Sequence, residues 1–339
     1  MRLLILGGTE FAGRALTEEA LARGWKVTVF HRGRHEPPEG VEQVRGDRTV
    51  EGGLKALEEQ VLEGRRWDVA VDTWSAAPTA VRDVTRLLHG AIERYVYISS
   101  RSVYRFPSPP GLAEEAEVVD GSPDDGETDY ATMKRGGELA AHQVFGDEAL
   151  LVRAGLILGP YENIGRLPWW LTRIARGGAV LAPGPRDAGV QYIDVRDLAM
   201  WTLDAVERGL GGPYDVVGPP GHTTMGGLLE ACVQVTGSAA DLVWKDPETI
   251  LAAGIEPWTE LPVWLPPGDA YDTIHRANVN KALSAGLRCR PVQETVADTW
   301  AWLRSIGGRA PQRPDRPVVG LDPAKEADLL SGPAPRPGP

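Results

Sequence analysis

Leu3-Leu4-Ile5-Leu6-Gly7-Gly8-Thr9-Glu10-Phe11-Ala12-Gly13 opens the chain and decides its fold. Four apolar residues read as a short buried strand. The glycines break it into a turn, and Ala12, Leu16 and Ala20 then recur at helical spacing until Gly24. Strand, glycine turn and helix in this order make a phosphate cradle. Backbone N–H groups approach an anion there, and the helix N-terminus adds partial positive charge. Tight strand-to-helix turns also use glycine for geometry alone, so the stretch takes its meaning from the rest of the chain.

Working outward, strand-like runs at 26–30, 41–45, 68–71, 95–98 and 150–152 alternate with helix-like runs. One helix carries Leu54, Ala56, Leu57, Val61 and Leu62; another carries Val81, Val84, Leu87 and Leu88; a third spans about 129–145. Such alternation predicts an α/β fold, a Rossmann-type doubly wound parallel sheet with helices on both faces. Residues 105–128, rich in Pro, Gly and acid, read as a long loop over the active-site edge. After Pro160 the texture turns aromatic and proline-punctuated, which predicts a smaller C-terminal substrate-binding lobe. Its tryptophans, from Trp169 to Trp302, read mostly as core. The expected organisation is a dinucleotide-binding domain over 1–160, with 191–217 returning to it. The lobe covers mainly 161–306, and 307–339 is an extension with a helical patch at 323–330 and disorder from 331. Asp194 reads as the cap of a helix at 195–208.

Composition narrows the class. The chain has 339 residues and a formal net charge of −11, with no long basic block, which argues against nucleic acid as the main partner. Cys232 and Cys289 are too far apart in sequence to suggest a disulfide framework or a metal site. No run is long enough to span a bilayer, and the N-terminus enters a strand at once. The expectation is a cytoplasmic protein with no membrane partner.

Two further features carry chemistry. Tyr130 and Lys134 stand four apart on a predicted helix and share one face. A neighbouring ammonium favours a phenolate, so a Tyr-x-x-x-Lys pair can move a proton at a substrate oxygen. Ser99-Ser100 end the fifth strand, and ligands of open parallel sheets lie beyond the strands' carboxyl ends.

Glycine turn, strand-end serine and Tyr-x-x-x-Lys on this background resemble the short-chain dehydrogenase/reductase superfamily. The closer resemblance is to its extended branch, the NAD-dependent epimerase/dehydratase-like proteins. That branch's Ser-Ser-x-x-Val-Tyr run reads Ser99-Ser100-Arg101-Ser102-Val103-Tyr104 here. The resemblance implies Ser100, Tyr130 and Lys134 as the catalytic residues. It places the coenzyme against Gly7, Gly8, Thr9, Glu10, Phe11 and Gly13 of the turn, then His31, Arg32, Asp47, Arg48, Thr73, Trp74 and Ser99. Tyr130, Lys134, Ala154 and Gly155 lie toward the nicotinamide. Glu10 replaces the branch's middle glycine, a variant similar to an atypical subgroup. Some members of that subgroup lack the catalytic tyrosine, and some chloroplast members are associated with RNA.

An acid at the end of the second strand suits NAD, and an arginine there suits the 2′-phosphate of NADP. This chain reads His31-Arg32-Gly33-Arg34, which favours NADP(H) and leaves NAD(H) open. The leading expectation is an oxidoreductase that reduces a carbonyl, or oxidises an alcohol, of a small molecule. An epimerase of sugar-nucleotide type with retained NAD and a non-catalytic coenzyme-binding protein are the alternatives. Substrate candidates are Arg101, Tyr104, Glu162, Asn163, Arg166, Trp170, Gln191 and Tyr192, in a pocket expected between sheet edge and aromatic lobe. The resemblance also leaves room for a homodimer through the helices near Val81 and Tyr130. No metal is expected.

Overall fold

The computed structural model describes residues 1–331. They divide into two compact units. One comprises 1–157, 193–218 and 278–289; the other comprises 158–192, 219–277 and the described residues from 290 onward.

The first unit is built on strands β1 (Arg2–Leu6), β2 (Lys26–His31), β3 (Glu42–Arg45), β4 (Trp67–Asp72), β5 (Ile92–Ser100) and β6 (Leu150–Ala154), joined by the later strand Gly212–Val216. All seven run parallel. From one edge the order is Gly212–Val216, β6, β5, β4, β1, β2, β3. Helices α1 (Phe11–Ala22), α2 (Lys55–Leu62), α3 (Thr79–Leu88) and α4 (Tyr130–Phe145) supply crossovers. Leu3, Leu4, Ile5 and Leu6 have no solvent exposure, because a strand covered on both faces must be apolar throughout. Leu6, Phe30, Leu57, Val81, Leu88, Tyr95 and Leu151 belong to one core.

The opening turn is shaped by sterics. Gly7 adopts φ +99°. A Cβ on Gly13 would lie 2.1 Å from the Gly7 carbonyl oxygen, so α1 can close on the turn only with glycine there. Glu10, in place of a glycine, stays extended at φ −133°. The positive angle falls instead on buried Phe11, at φ +34°.

Residues 105–128 form no helix or strand, and an isolated antiparallel bridge joins Tyr104 to Val118. Asp194 does cap the helix Val195–Glu207, accepting from the Arg196 amide at 2.9 Å.

In the second unit, helices Arg166–Ala175, Met225–Thr236 and Val292–Ser305 pack together, and strands Gly178–Pro183 and Ala240–Lys245 pair in parallel. Trp170 and Trp264 are core residues whose indole N–H groups donate to the Pro262 and Gly184 carbonyls. Trp201, by contrast, packs in the first unit and donates to the Ala285 oxygen. Residues 278–289 group with the sheet unit. The expected helical patch is the helix Pro323–Ser331, and it packs in the second unit, where buried Glu326 accepts from Arg173 Nε at 2.6 Å and from the Leu181 amide at 3.0 Å. Ser331 is helical, and the rest of the expected disorder lies outside the described residues.

Gly13→Ala places a methyl group against backbone that cannot yield. It is expected to cost roughly 2–3 kcal/mol of stability, the upper part of the overpacking range. Chemical denaturation of the two proteins measures it.

Candidate functional site

The carboxyl ends of β4, β5, β6 and Gly212–Val216 carry buried polar side chains, among them Asp72, Ser99, Ser100, Arg153 and Asp215. Ser100 ends β5 and is paired in register with Ala154 of β6. Its Oγ accepts from the Ser102 amide and donates to Ser102 Oγ, both at 3.1 Å, which starts the short turn Arg101–Val103.

Tyr130 is the first residue of α4. The preceding residue, Asp129, fixes that end, its Oδ1 accepting from the Ala131 and Thr132 amides at 3.1 Å each. Lys134, one turn on, is buried. Its Nζ donates to the Ile98 oxygen at 2.6 Å and the Trp74 oxygen at 2.5 Å, and it lies 4.8 Å from the centre of the Tyr97 ring. Gly137 lets the helix come so close, since a Cβ there would sit 2.4 Å from the Tyr97 hydroxyl. Tyr97 stays protonated well above the usual tyrosine range, chiefly because burial disfavours its phenolate; Asp72, Tyr130 and Glu138 add in the same sense. Its hydroxyl donates to the Trp74 oxygen at 3.1 Å.

One further turn along the same face stands Glu138, fully buried. It accepts from Ser99 Oγ (2.8 Å), from Arg153 through Nε (2.8 Å) and Nη2 (3.0 Å), and from Arg135 (3.0 Å). Arg153 reaches on to the Tyr104 hydroxyl at 3.0 Å, and that hydroxyl donates to Asp215 at 2.8 Å. Arg101 pairs with Asp215 at 3.4 Å, and Glu114 accepts from the Asp215 amide at 2.8 Å. Burial pulls the Arg153 pKa down, but the Glu138 fork, with the Tyr104 hydroxyl, outweighs it and holds it above the usual arginine range. Burial pushes Asp215 up to about 6, with Glu114 adding and Arg101 and Tyr104 opposing.

On the other side of β5, at the end of β4, Asp72 is fully buried and accepts from both terminal nitrogens of Arg48 at 2.7 Å, from the Tyr95 hydroxyl at 2.6 Å and from the Trp74 amide at 2.8 Å. The Arg48 guanidinium also lies 4.7 Å from the Trp74 ring. Arg48 and Trp74 line a cleft of about 360 Å³ with Thr49, Ala77 and Thr79. Asp47 accepts from Thr49. Partial burial would raise its pKa, yet the Thr49 bonds and the nearby charges of Arg32 and Arg34 bring it below the usual range. Two exposed cations therefore stand beside the carboxyl ends of β2 and β3.

Other expected site residues have internal partners. His31 is buried between Gln43 Oε1 and the Gly33 amide. Thr73 Oγ1 donates to the Leu6 oxygen at 3.0 Å, tying β4 to the opening turn. Glu10 lies 3.4 Å from His35, and Gly155 donates to the Val216 oxygen at 3.2 Å. Arg101 and Tyr104 are engaged with Asp215.

Among the substrate candidates of the second unit, Gln191 clamps Ala277 through both ends of its amide. Tyr192 is fully buried, its hydroxyl 3.3 Å from Thr295 Oγ1. The Asn163 carbonyl accepts from the Arg313 amide, and Arg166 lies over the Trp258 ring at 5.3 Å. Glu162 accepts from the Arg166 and Leu167 amides at 2.7 and 3.2 Å, capping the helix Arg166–Ala175. Sequence reasoning missed Asp72, Glu138, Arg153 and Asp215 as a polar set. The available signal was the eight-residue spacing from Tyr130 to Glu138, two turns along one face.

Such a parallel sheet, with a glycine turn after β1, is the Rossmann-type arrangement of the short-chain dehydrogenase/reductase superfamily. The chain belongs to the NAD dependent epimerase/dehydratase family, whose sequence model matches residues 3–217. It is 29% identical over 261 residues to the bovine (Bos taurus) "Epimerase family protein SDR39U1", covering 71% of this chain and 82% of that one. It is 25% identical over 253 residues to the Arabidopsis thaliana "Chloroplast stem-loop binding protein of 41 kDa b", covering 70% of this chain and 63% of that protein's length. The fold is similar to that of the Bordetella bronchiseptica enzyme WbmH in complex with NAD+, with a TM-score of 0.64 at 18% identity over 90% of this chain and 99% of that one. It is also similar to the Thermus thermophilus UDP-glucose 4-epimerase in complex with NAD, with a TM-score of 0.61 at 22% identity over 90% and 99%. Among the described residues no helix is long and apolar enough to cross a membrane, and no three His, Cys, Asp or Glu gather as a metal site.

Glu162 yields a pH prediction. Burial pushes it from 4.5 up to about 7, against the opposing Arg166 charge and backbone amides. Between those values the folded protein holds a proton that the unfolded chain has released, so stability falls as pH rises through the window. Wild-type Tm is expected to drop more between about pH 5 and 7.5 than that of Glu162→Gln, as read by calorimetry.

Proposed function

We propose that the protein is an NADP(H)-dependent oxidoreductase that interconverts a carbonyl and an alcohol on a small molecule. The observation that carries this reading is Lys134. Its ammonium is buried, one turn from Tyr130, and pinned to the carbonyls of Trp74 and Ile98 beside the strand that ends in Ser100. A lysine so placed is fixed where it can orient a coenzyme ribose and favour proton transfer at the tyrosine.

The remaining residues fit a dinucleotide. The close-packed glycine turn keeps side chains away from the α1 N-terminus, which suits a pyrophosphate. Arg32 and Arg34, near Asp47, suit a 2′-phosphate. When bound, the coenzyme supplies the hydride donor or acceptor. Ser100 and Tyr130 hydrogen-bond the substrate oxygen, and Tyr130 gives or takes its proton. Donors aimed at a developing oxyanion contribute about 3 kcal/mol each. The net charge of −11 does not favour nucleic acid as partner, despite the chloroplast relative's name.

A second reading, epimerisation with tightly held NAD, is favoured by the epimerases among the solved structures of similar fold. It uses the same three residues. The absorbance spectrum of the purified protein separates the two, since retained coenzyme marks the epimerase.

Tyr130→Phe is expected to lower turnover about 10³-fold, within the range for a lost general acid, while the dissociation constant for NADPH changes less than about threefold. Arg32→Ala is expected to weaken NADPH about tenfold or more and to leave NADH unchanged, as titration calorimetry would show.

A further inference from the structure

We infer that Asp72, with Arg48 as its counter-ion, is a positioning residue for Lys134 that acts through the main chain of Trp74. The inference rests on the reading of Lys134 given above.

Asp72 stands at the end of β4, and Trp74 is two residues beyond it. Asp72 Oδ1 accepts the Trp74 N–H, and the Trp74 carbonyl accepts the Lys134 ammonium. One carboxylate thus anchors the residue whose oxygen holds the lysine. The Trp74 side chain is fixed as well, its Nε1 donating to the Ala77 oxygen at 2.9 Å while Arg48 covers its ring. Four donors reach Asp72, from Arg48 twice, Tyr95 and Trp74.

Stability alone does not account for this arrangement. A buried ion pair is often replaced by apolar residues of similar volume at no loss of stability. An apolar pair, however, offers no acceptor to the Trp74 amide. Without it the Trp74 main chain is held only by the Tyr97 hydroxyl on its oxygen and by the Ala77 bond of its indole, and its carbonyl is no longer fixed from the amide side toward Lys134. Arg48 also lines the cleft beside Trp74, so the counter-ion that steadies Asp72 belongs to the same wall.

The experiment reads Lys134 directly. The chain has six lysines, and Lys134 alone among them is buried. In 15N-lysine-labelled protein, its NH3+ group is expected to give a slowly exchanging 1H–15N signal, assigned by its loss in Lys134→Arg. In Arg48→Met/Asp72→Leu that exchange is expected to accelerate tenfold or more. In Arg48→Met/Asp72→Asn, where a side-chain oxygen still accepts from the Trp74 amide, it should stay within twofold of wild type. If the Leu pair does not fold, Arg48→Met/Asp72→Ala carries the same expectation. Unchanged exchange in the apolar pair, or equal acceleration in the apolar and Asn pairs, overturns the inference. Neither result bears on the catalytic reading, which stands or falls on Tyr130→Phe.

Discussion

A charged amine with almost no water around it is the constraint on which this edge of the sheet is built. Lys134 is only 3% exposed, and a buried ammonium is tolerated only where acceptors replace its hydration. The two carbonyls that do so come from the end of β5 and from the residue that follows β4 by two. Helix α4 is therefore tied, one turn after Tyr130, to two neighbouring strands, one of which ends in Ser100. Gly137 completes the arrangement by letting the helix lie against Tyr97.

Around this amine the unit assembles two separate carboxylate–guanidinium pairs, Glu138 with Arg153 and Asp72 with Arg48. Pairs of this kind add little net stability, because desolvation offsets their attraction. Their contribution is geometric. A forked guanidinium fixes direction as well as distance, and each carboxylate has further donors that settle its remaining lone pairs.

The sheet was legible because its strands are apolar runs bounded by glycine and acid, as at Leu3–Leu6 and around Gly46-Asp47. Tyr130 and Lys134 were legible because helical spacing alone sets them side by side. Asp72 was visible only as a strand-end acid; nothing local says that Arg48, 24 residues earlier, comes to it. Arg153, Asp215 and Tyr104 meet through register between strands, which single-chain periodicity does not encode. The internal partners of two substrate candidates were hidden for a related reason. Gln191 and Tyr192 are polar residues near a strand end, and polarity reads as exposure until a tertiary partner such as Ala277 or Thr295 absorbs it. The stretch 278–289 reads as part of the lobe because its neighbours in sequence lie there.

That stretch shows how the chain is threaded. It passes between the two units five times before its last helix. The edge strand Gly212–Val216, which hydrogen-bonds along β6, is made some sixty residues after β6 itself. During synthesis the outer border of β6 therefore emerges well ahead of the strand that covers it, a bare row of N–H and C=O groups of the kind that recruits other chains. A fragment ended near residue 160 would lack that strand and leave the border of β6 uncovered.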